Sequence, residues 1–588
     1  MQQTTPLSDL RHSLAHLLGA AVMKHYPDAK LTLGPSIDDG FYYDIKFVTN
    51  ISSDDLASIE ATMKELLPTW TTVTHTEHSK EEALAHYKGN QFKEELINEI
   101  ADRGEKITFY HMGSAEDGFT DLCRGGHVDD LSTIDPGSFK LDRLAGAYWR
   151  GSEKNPMLTR IYGLAFATKD ELDAHLAARV EAEKRDHRKI GQEQKLFFVD
   201  DMVGKGLIMW QPNGTIIRDE VEKLAKEKEA GQDYVRVVTP HLAKEELFMA
   251  SGHLPYYKDD MYPAMVMDDG TYYLKAMNCP HHHIMFRHEK RSYRDLPVRL
   301  AEYGTVYRNE LSGTLAGLLR VRCLAMNDAH IYCRKDQIKE EFEKALRLTM
   351  EYFTIFGLTD YWFRLSKWSP DHTDKYIDEP ENWTYTQDTI REILDSVGVP
   401  YIEVDDEAAF YGPKVDIQFK SVLGRTETMS TVQLDFAAKK RFELSYTDNE
   451  GKDNNEVFVI HRAPLSTHER FIAFLIEHYA GIWPVWMAPV QAVVLPVGEG
   501  HVEYAQTVYA ALKAAGVRAT LKTRDGLGKR IREAKLEKTP YQIVLGAKEQ
   551  ESGTLTVEGR GDLKLEITLD EFITRITKEI STRTDTML

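Results

Sequence analysis

The sequence predicts a multidomain protein of mixed α+β and α/β class, and three observations carry that expectation. The chain has 588 residues, too many for one hydrophobic core, so three or more domains are expected. Two strand-like segments, residues 300–310 and 320–332, meet at the Gly-rich loop Ser312-Gly313-Thr314-Leu315-Ala316-Gly317. From about residue 490 the segments VQAVVLPV, VRATLKT and YQIVLG alternate with helical stretches, the pattern of a small α/β domain.

Composition narrows the class. Hydrophobic content of 42% and charged content of 28% are those of an ordinary soluble globular protein. No apolar run approaches the roughly 20 residues that span a bilayer, and the opening MQQTTPLSDLRHS lacks the basic and apolar regions of a signal peptide. Four widely spaced cysteines, Cys123, Cys279, Cys323 and Cys333, suit reduced thiols and a cytoplasmic location rather than a disulfide framework. A formal net charge of −20 argues against bulk nucleic-acid binding; a specific RNA partner would have to use local basic patches.

In chain order, residues 10–26 carry apolar positions at helical spacing, with His12 and His16 four apart on one face. Much later comes Asp121-Leu122-Cys123-Arg124-Gly125-Gly126-His127. Two His plus Cys-x-x-x-His have the residue types of a zinc site, or are ordinary helix and loop residues; spacing does not decide. Residues 169–195 are charged and free of Pro and read as a helical connector between domains.

Beyond it, Gly214-Thr215-Ile216-Ile217-Arg218 opens a helix of strong formers to Glu229, followed by strand-like residues 235–238 and Pro240. The stretch 274–333 organises the rest. It holds Asn278-Cys279-Pro280-His281-His282-His283, then a strand ending Val306-Tyr307-Arg308-Asn309-Glu310, the Gly-rich loop, and RVRCLAMNDAHIY. Side chains alternate along a strand, which places Arg308 with Glu310, and Arg320 and Arg322 with Met326, Asp328 and His330. A face built for packing would be apolar, so a face of cations, carboxylate and imidazole marks a site. Cys279, His330 and His461 offer three N/S donors, the number of a catalytic zinc site. His281, His282 and His283 compete among 22 His, and spacing does not choose.

A helical stretch at 337–356 precedes Phe410-Tyr411-Gly412-Pro413-Lys414, Thr431-Val432-Gln433-Leu434-Asp435-Phe436 and residues 457–461. Arg462-Ala463-Pro464-Leu465-Ser466-Thr467-His468-Glu469-Arg470 then opens a helix with Phe471, Phe474, Leu475 and Tyr479 as its apolar residues. In the last segment Lys522, Arg524, Lys529, Arg530, Arg532, Lys535 and Lys538 make a basic run that is ordinarily a solvated helix face.

R-x-E, a Gly-rich loop and an Arg-bearing strand resemble motif 2 of the class II aminoacyl-tRNA synthetases. Met277-Asn278-Cys279-Pro280 and Asp328-Ala329-His330 narrow the resemblance to the threonyl family. The resemblance implies an α+β editing domain at 1–168, a helical connector at 169–195, an antiparallel-sheet catalytic domain at 196–489 and an α/β anticodon-binding domain at 490–588. It implies ATP-dependent attachment of L-threonine to tRNA(Thr) through a threonyl-adenylate, with editing of mischarged seryl-tRNA(Thr). Helix, strand and Pro240 match motif 1, which in this class forms a homodimer interface. Many family members carry a further ubiquitin-like domain; this chain is expected to begin too late for one.

Residue roles follow by the same resemblance. Arg308 would clamp the α-phosphate and substrate carboxylate, Arg320 and Arg470 the outgoing phosphates with Mg²⁺, and Lys414 a phosphate, while Glu310 would read adenine. Tyr411 would face the substrate amine, with Gln433 and Met277 in the pocket and His253 near the tRNA 3′ end. HSLAH, GPSIDDGFYYD, DLCRGGH and GAYWRG are similar to the editing domain, in which His12, His16, Cys123 and His127 line the site beside Asp121 and Lys93. In the threonyl family these residues work without metal; in alanyl enzymes their counterparts hold zinc. Arg524, Asp525, Arg532, Glu549 and Arg560 are the implied anticodon contacts.

The resemblance also selects Cys279, His330 and His461 as ligands of one Zn²⁺ per subunit. Threonine and valine are nearly isosteric, and an apolar pocket separates them poorly. An ion that takes amine and hydroxyl together rejects valine, with Asp328 accepting a hydrogen bond from the hydroxyl. Serine lacks only a methyl, worth roughly 1–3 kcal/mol, so a second, hydrolytic site is expected. Several pocket positions depart from the family: Met326 stands for a usual Gln, Leu324 for Phe, His281 for Gly, Glu427-Thr428-Met429-Ser430 for Trp-Gln-Cys-Gly, and Glu558 for Arg. A class II synthetase for another amino acid, and a synthetase-like RNA-binding regulator, are the alternatives.

Overall fold

The computed structural model describes residues 7–113, 118–372, 375–420, 426–561 and 563–584. They form two compact units that divide after Val180.

The first unit is built on α1 (Leu7–His25). Leu10, Leu14, Leu17, Leu18 and Ala21 recur at three- and four-residue spacing and so share one face. The helix ends two residues before Pro27, which cannot continue it. Strand β1 (Gly40–Lys46) begins one sheet, and β2 (Val73–His78), β3 (Ile107–Met112) and β4 (Phe119–Leu122) form another. Strands β5 (Phe139–Tyr148) and β6 (Met157–Ala165) return to the first sheet, with β6 between β1 and β5. Leu14, Leu17, Leu18, Phe41, Tyr43, Phe139 and Ile161 share one core; each large apolar side chain so buried contributes about 1.5–3 kcal/mol. Between β2 and β3, α2 (Gln91–Asp102) is capped by Asn90, whose Oδ1 accepts from the Phe92 and Lys93 amides.

Segment 169–195 is two helices rather than one, α3 (Lys169–Arg185) and α4 (His187–Glu193). Asp186 leaves helical geometry and accepts the Arg188 amide at 2.7 Å, an N-cap that starts α4.

In the second unit α5 (Pro212–Ala230) leads to β7 (Val235–Arg236), shorter than the expected 235–238. Helix α6 (Cys279–His288) carries Pro280 in its first turn, where the missing N–H costs nothing. The central sheet adds β8 (Val298–Tyr307), β9 (Cys323–Cys333), β10 (Tyr361–Ser366), β11 (Tyr401–Val404), β12 (Lys414–Lys420), β13 (Thr426–Asp435) and β14 (Phe458–Ala463). Their order is β7-β8-β9-β14-β13-β12-β10-β11, antiparallel except for the outermost pair at each edge. Helices α7 (Ile338–Ile355) and α8 (His468–Tyr479) cover it, burying Phe342, Leu346, Phe471 and Leu475 with Ile331, Val432, Leu434 and Ile460.

The register matters for function. His330 lies opposite His461, His461 opposite Gln433, and Gln433 opposite Lys414. Residues opposite one another in an antiparallel pair share a face, so four strands present these side chains in one row. The ladder between β8 and β9 ends at Tyr307 opposite Cys323. Arg308, Glu310, Arg320 and Arg322 therefore lie beyond it, and the expected alternation holds only for Met326, Asp328 and His330. Arg308 N–H still donates to Arg322 O at 3.0 Å, but Arg322 N–H donates to Gly206 O at 2.8 Å instead of returning that bond, and the ladder stops there.

The C-terminal part holds a five-stranded sheet: β15 (Ala492–Pro496), β16 (Ala519–Leu521), β17 (Tyr541–Leu545), β18 (Thr554–Glu558) and β19 (Lys564–Thr568). Strands β16, β15 and β17 run parallel, and β18 and β19 add antiparallel. Helices α9 (Val502–Ala514), α10 (Leu527–Leu536) and α11 (Leu569–Thr582) flank it, with Val494, Val508, Ile543 and Phe572 in the core. No described helix is long and apolar enough to cross a membrane.

Candidate functional site

A cavity of about 710 Å³ lies against the row described above. It is lined by Cys279, His330, His461, Asp328, Met277, Tyr411, Gln433, Lys414, Arg308, Glu310, Arg320, Arg470 and His253. The structure thus brings together in one place residues that the sequence spreads over more than two hundred positions.

Cys279, at the start of α6, meets His330 of β9 and His461 of β14, with one ligand atom from each within 4.8 Å of the others. Hydrogen bonds indicate which nitrogens are available. Asp435 Oδ2 accepts from His461 Nε2 at 3.1 Å, leaving His461 Nδ1 with its lone pair. Glu302 accepts from His282 Nε2 at 3.1 Å, so His282 Nδ1 accepts in turn from His330 Nδ1 at 2.7 Å, and His330 Nε2 keeps its lone pair. A thiol and two imidazoles oriented by such partners fit zinc. His283, Asp435 and His461 make an equally tight trio, but Asp435 and His461 already bond each other and His283 Nδ1 bonds the Tyr332 hydroxyl at 2.9 Å. Burial raises the pKa of Cys279 well above its ordinary value, helped by Asp328 and Asp435; a cation would reverse that pressure. Burial also raises Asp328, which accepts from Asn278 Nδ2 at 3.2 Å.

The cavity's other wall is cationic. Arg470 sits in the first turn of α8, where the Thr467 hydroxyl accepts its amide at 3.1 Å, and its Nε donates to Leu319 O at 3.5 Å. Its pKa is lowered by burial first and then by Arg308 and Arg320, so these cations crowd one another. Arg320 pairs with Glu310 at 2.8 Å and Lys414 with Asp416 at 3.1 Å. The Tyr411 hydroxyl donates to Gln433 Oε1. His253 holds Ser251 Oγ at 2.7 Å through Nδ1, and its Nε2 lies 2.9 Å from Met277 Sδ. Burial, then Arg441 and Arg308, push its pKa down to about 4, so it is neutral at pH 7. Sequence reasoning gives Asp435 and Glu302 no role and weighs His282 only as a rival metal ligand; Asp435 and Glu302 sit within strands, and nothing local marks them as partners of the imidazoles.

In the first unit His12, His16, Cys123 and His127 place one ligand atom each within 4.8 Å of one another. Cys123 Sγ is 3.5 Å from His12 Nε2 and 3.2 Å from His127 Nε2. Burial pushes His127 down to about 2, the thiol of Cys123 up to about 11, and His16 well below its ordinary value, so the cluster is uncharged. Charge lies beside it in the buried pair Lys93–Asp121, at 2.6 Å. Asp121 also accepts from the hydroxyls of Tyr43 and Tyr87 and from the Leu122 amide. Tyr43 and Tyr87 are the side chains that sequence reasoning missed here; the alternation of β1 points Tyr43 inward, a signal within GFYYD.

In the C-terminal part Arg524 and Arg532 are exposed at the start and on the surface of α10. Asp525 pairs with Lys529 at 3.1 Å. Glu549 is engaged by the Gly546 amide and Thr556 hydroxyl, both at 2.8 Å, and Arg560 by the carbonyls of Trp483 and Lys538.

Three family descriptions match the chain: "tRNA synthetase class II core domain (G, H, P, S and T)" at residues 264–479, "Anticodon binding domain" at 491–579, and "Threonyl and Alanyl tRNA synthetase second additional domain" at 107–162. The chain is 46% identical over 579 residues to threonine–tRNA ligase of Anoxybacillus flavithermus, covering 98% of this chain and 89% of that one. It is 45% identical over 578 residues to threonine–tRNA ligase 1 of Bacillus subtilis, covering 97% and 89%. Among solved structures it resembles the RNA binding domain of threonyl-tRNA synthetase from Cryptosporidium parvum Iowa II. That match has a TM-score of 0.64 at 34% identity and covers 67% of this chain and 98% of that one.

Proposed function

The chain belongs to the threonyl-tRNA synthetases of class II, and from that premise we propose how its residues divide the work. The family activity is ATP-dependent attachment of threonine to tRNA(Thr), with hydrolytic editing of mischarged product. The observation that carries the assignment of parts is the single cavity, with a thiol and two imidazoles on one wall and crowded guanidinium groups on the other.

Threonine's carboxylate oxygen attacks the α-phosphorus of ATP; the bond to the bridging oxygen breaks and pyrophosphate leaves. Such transfers depend on positioning and charge neutralisation. Arg308 holds the carboxylate and α-phosphate, Arg320, Lys414 and Arg470 hold the outgoing phosphates with Mg²⁺, and Glu310 reads adenine. Tyr411 and Gln433, tied to each other, and Met277 shape the amino-acid pocket. Cys279, His330 and His461 would hold zinc, which would supply a Lewis-acid contact for the amine and hydroxyl of threonine. Asp328 accepts a hydrogen bond from that hydroxyl. In the second step the terminal ribose hydroxyl of tRNA attacks the adenylate carbonyl and AMP leaves. His253, neutral at pH 7, stands ready to accept the proton.

The uncharged cluster of His12, His16, Cys123 and His127, with Lys93 and Asp121, is the proposed site of seryl ester hydrolysis. Arg524, Asp525, Arg532 and Glu549 are the proposed anticodon contacts. Domains at 1–168, 196–489 and 490–588, joined through 169–195, contain the three family matches. A homodimer through α5 and β7 is supported by Val235 and Val238, which are 58% and 87% exposed; sedimentation at the monomer mass would remove that reading. Four free cysteines support a cytoplasmic setting.

The decisive experiment is amino-acid-dependent pyrophosphate exchange, with zinc measured on the same sample. Exchange with threonine, weaker exchange with serine, none with valine and about one zinc per chain are expected. Exchange with valine would overturn the hydroxyl-reading role of Cys279, His330 and His461.

A further inference from the structure

His187 stands at the start of α4, outside the cavity, and only 4% of its surface is exposed. Its two ring nitrogens are both used. Nδ1 lies 2.7 Å from Glu477 Oε1, and Nε2 lies 3.1 Å from the amide nitrogen of Leu318. A backbone N–H can only donate and a carboxylate can only accept. The imidazole is therefore the tautomer with hydrogen on Nδ1: it donates to Glu477 and accepts from Leu318.

Leu318 belongs to the tip of the loop between β8 and β9. Its neighbours Ala316 and Arg320 bridge each other, and Leu318, Leu319 and Arg320 line the cavity. The next carbonyl, Leu319 O, accepts from Arg470 Nε. Arg470 and Glu477 are seven residues apart on α8, two turns along one face. The contacts close a circuit: α8, Glu477, His187, Leu318–Leu319, Arg470, and back to α8. Gly317 is required inside it. Its φ is +54°, and a Cβ there would come within 2.2 Å of His187 Nε2.

We propose that His187, oriented by Glu477, is a positioning residue for the ATP site: it pins the loop tip so that Leu319 O holds the Arg470 guanidinium toward the cavity. It touches no substrate. Its effect runs through the loop backbone and so falls on ATP rather than on threonine, whose pocket is built on the sheet and α6. The inference rests on the reading of Arg470 as a phosphate ligand.

Two replacements separate the halves of the imidazole. In His187→Gln the amide oxygen reaches the Nε2 position and can still accept from Leu318. In His187→Asn the side chain reaches only the Nδ1 position, and the Leu318 amide loses its acceptor. In pyrophosphate exchange on the full-length protein, His187→Asn should raise KM for ATP about five- to tenfold, the loss of roughly one hydrogen bond. KM for threonine should stay within twofold, and His187→Gln should recover most of the ATP affinity. Gly317→Ala, which pushes the tip off His187, should reproduce the ATP defect and serves if His187→Asn does not fold. Unchanged KM for ATP in folded His187→Asn or in Gly317→Ala overturns the proposal, as does an equal rise in both KM values. Arg470→Ala is measured alongside. If it leaves KM for ATP unchanged, the phosphate role of Arg470 fails; if it raises KM while His187→Asn does not, only the present proposal fails.

Discussion

Replacing Lys93 by Met tests the electrostatic design of the first unit. The Lys93 and Asp121 side chains are 2% and 4% exposed and 2.6 Å apart, so solvent screens the pair little. Methionine keeps most of the volume and removes the charge. Breaking a buried ion pair from one side costs about 3–5 kcal/mol, because the partner charge is stranded. Asp121 keeps the Tyr43 and Tyr87 hydroxyls and the Leu122 amide, which places the cost near the lower end, about 3 kcal/mol. Adding Asp121→Asn removes the stranded charge, so the double variant should be more stable than Lys93→Met alone. The assay is urea-dependent hydrogen exchange of α1 amides in the full-length chain. A loss below about 1 kcal/mol, or a double variant no more stable than the single, refutes the reasoning.

Three further outcomes are expected. Asp435→Asn preserves shape but weakens the orientation of His461, and should lower zinc affinity at least about tenfold in chelator competition; unchanged affinity would separate Asp435 from the ion. His16→Ala with Cys123→Ala should slow deacylation of seryl-tRNA about a hundredfold while threonine-dependent exchange persists, and unchanged deacylation would remove the site from editing. Glu469, buried at the start of α8 and accepting the Ala325 amide at 3.0 Å, is pushed by burial up to about 7 from an ordinary 4.5. The folded state then binds the proton more tightly than the unfolded one. The contribution of Glu469 to stability therefore falls as pH rises from about 4.5 to 7, by about 3 kcal/mol. Buried histidines such as His253 and His468, whose pKa values are pushed down to about 4, titrate with the opposite sign. The quantity to follow from pH 4.5 to 8 is therefore the difference in stability between the wild type and Glu469→Gln, which should carry this slope; a difference that does not vary with pH refutes it.

The sequence makes one class of feature legible and hides another. The helix carrying His12 and His16, the mixed C-terminal sheet and the loop between β8 and β9 are all visible in local periodicity and turn residues, because local chemistry determines them. Element ends were less legible. Arg320 and Arg322 look like strand residues, yet Gly206, over a hundred positions away, takes the Arg322 amide and ends the ladder. The row His330, His461, Gln433, Lys414 depends on strand order and register, which no single segment encodes. Resemblance supplied those residues; the structure supplies their partners. Asp435 beside His461, His282 beside His330 and Tyr43 on Asp121 are long-range hydrogen bonds to site residues, and only the assembled fold reveals these partners.

The two candidate sites differ in charge in a way that matches the substrates proposed for them. In the cavity, Arg470 lines the same wall as Arg308 and Arg320, and its protonation is disfavoured by desolvation and by like charge. A polyphosphate relieves this repulsion, so part of the binding free energy comes from removing an unfavourable arrangement already present in the free protein. An amino-acid ester brings no anionic group of its own and would relieve nothing there. Around Cys123 the imidazoles are uncharged, and the buried cation beside them, Lys93, is already neutralised by Asp121. That site has little to offer a polyanion and is suited to a neutral ester bond held by short polar contacts. On the proposed division of roles, discrimination between phosphate chemistry and ester hydrolysis is built into the free protein's electrostatics, before either substrate arrives.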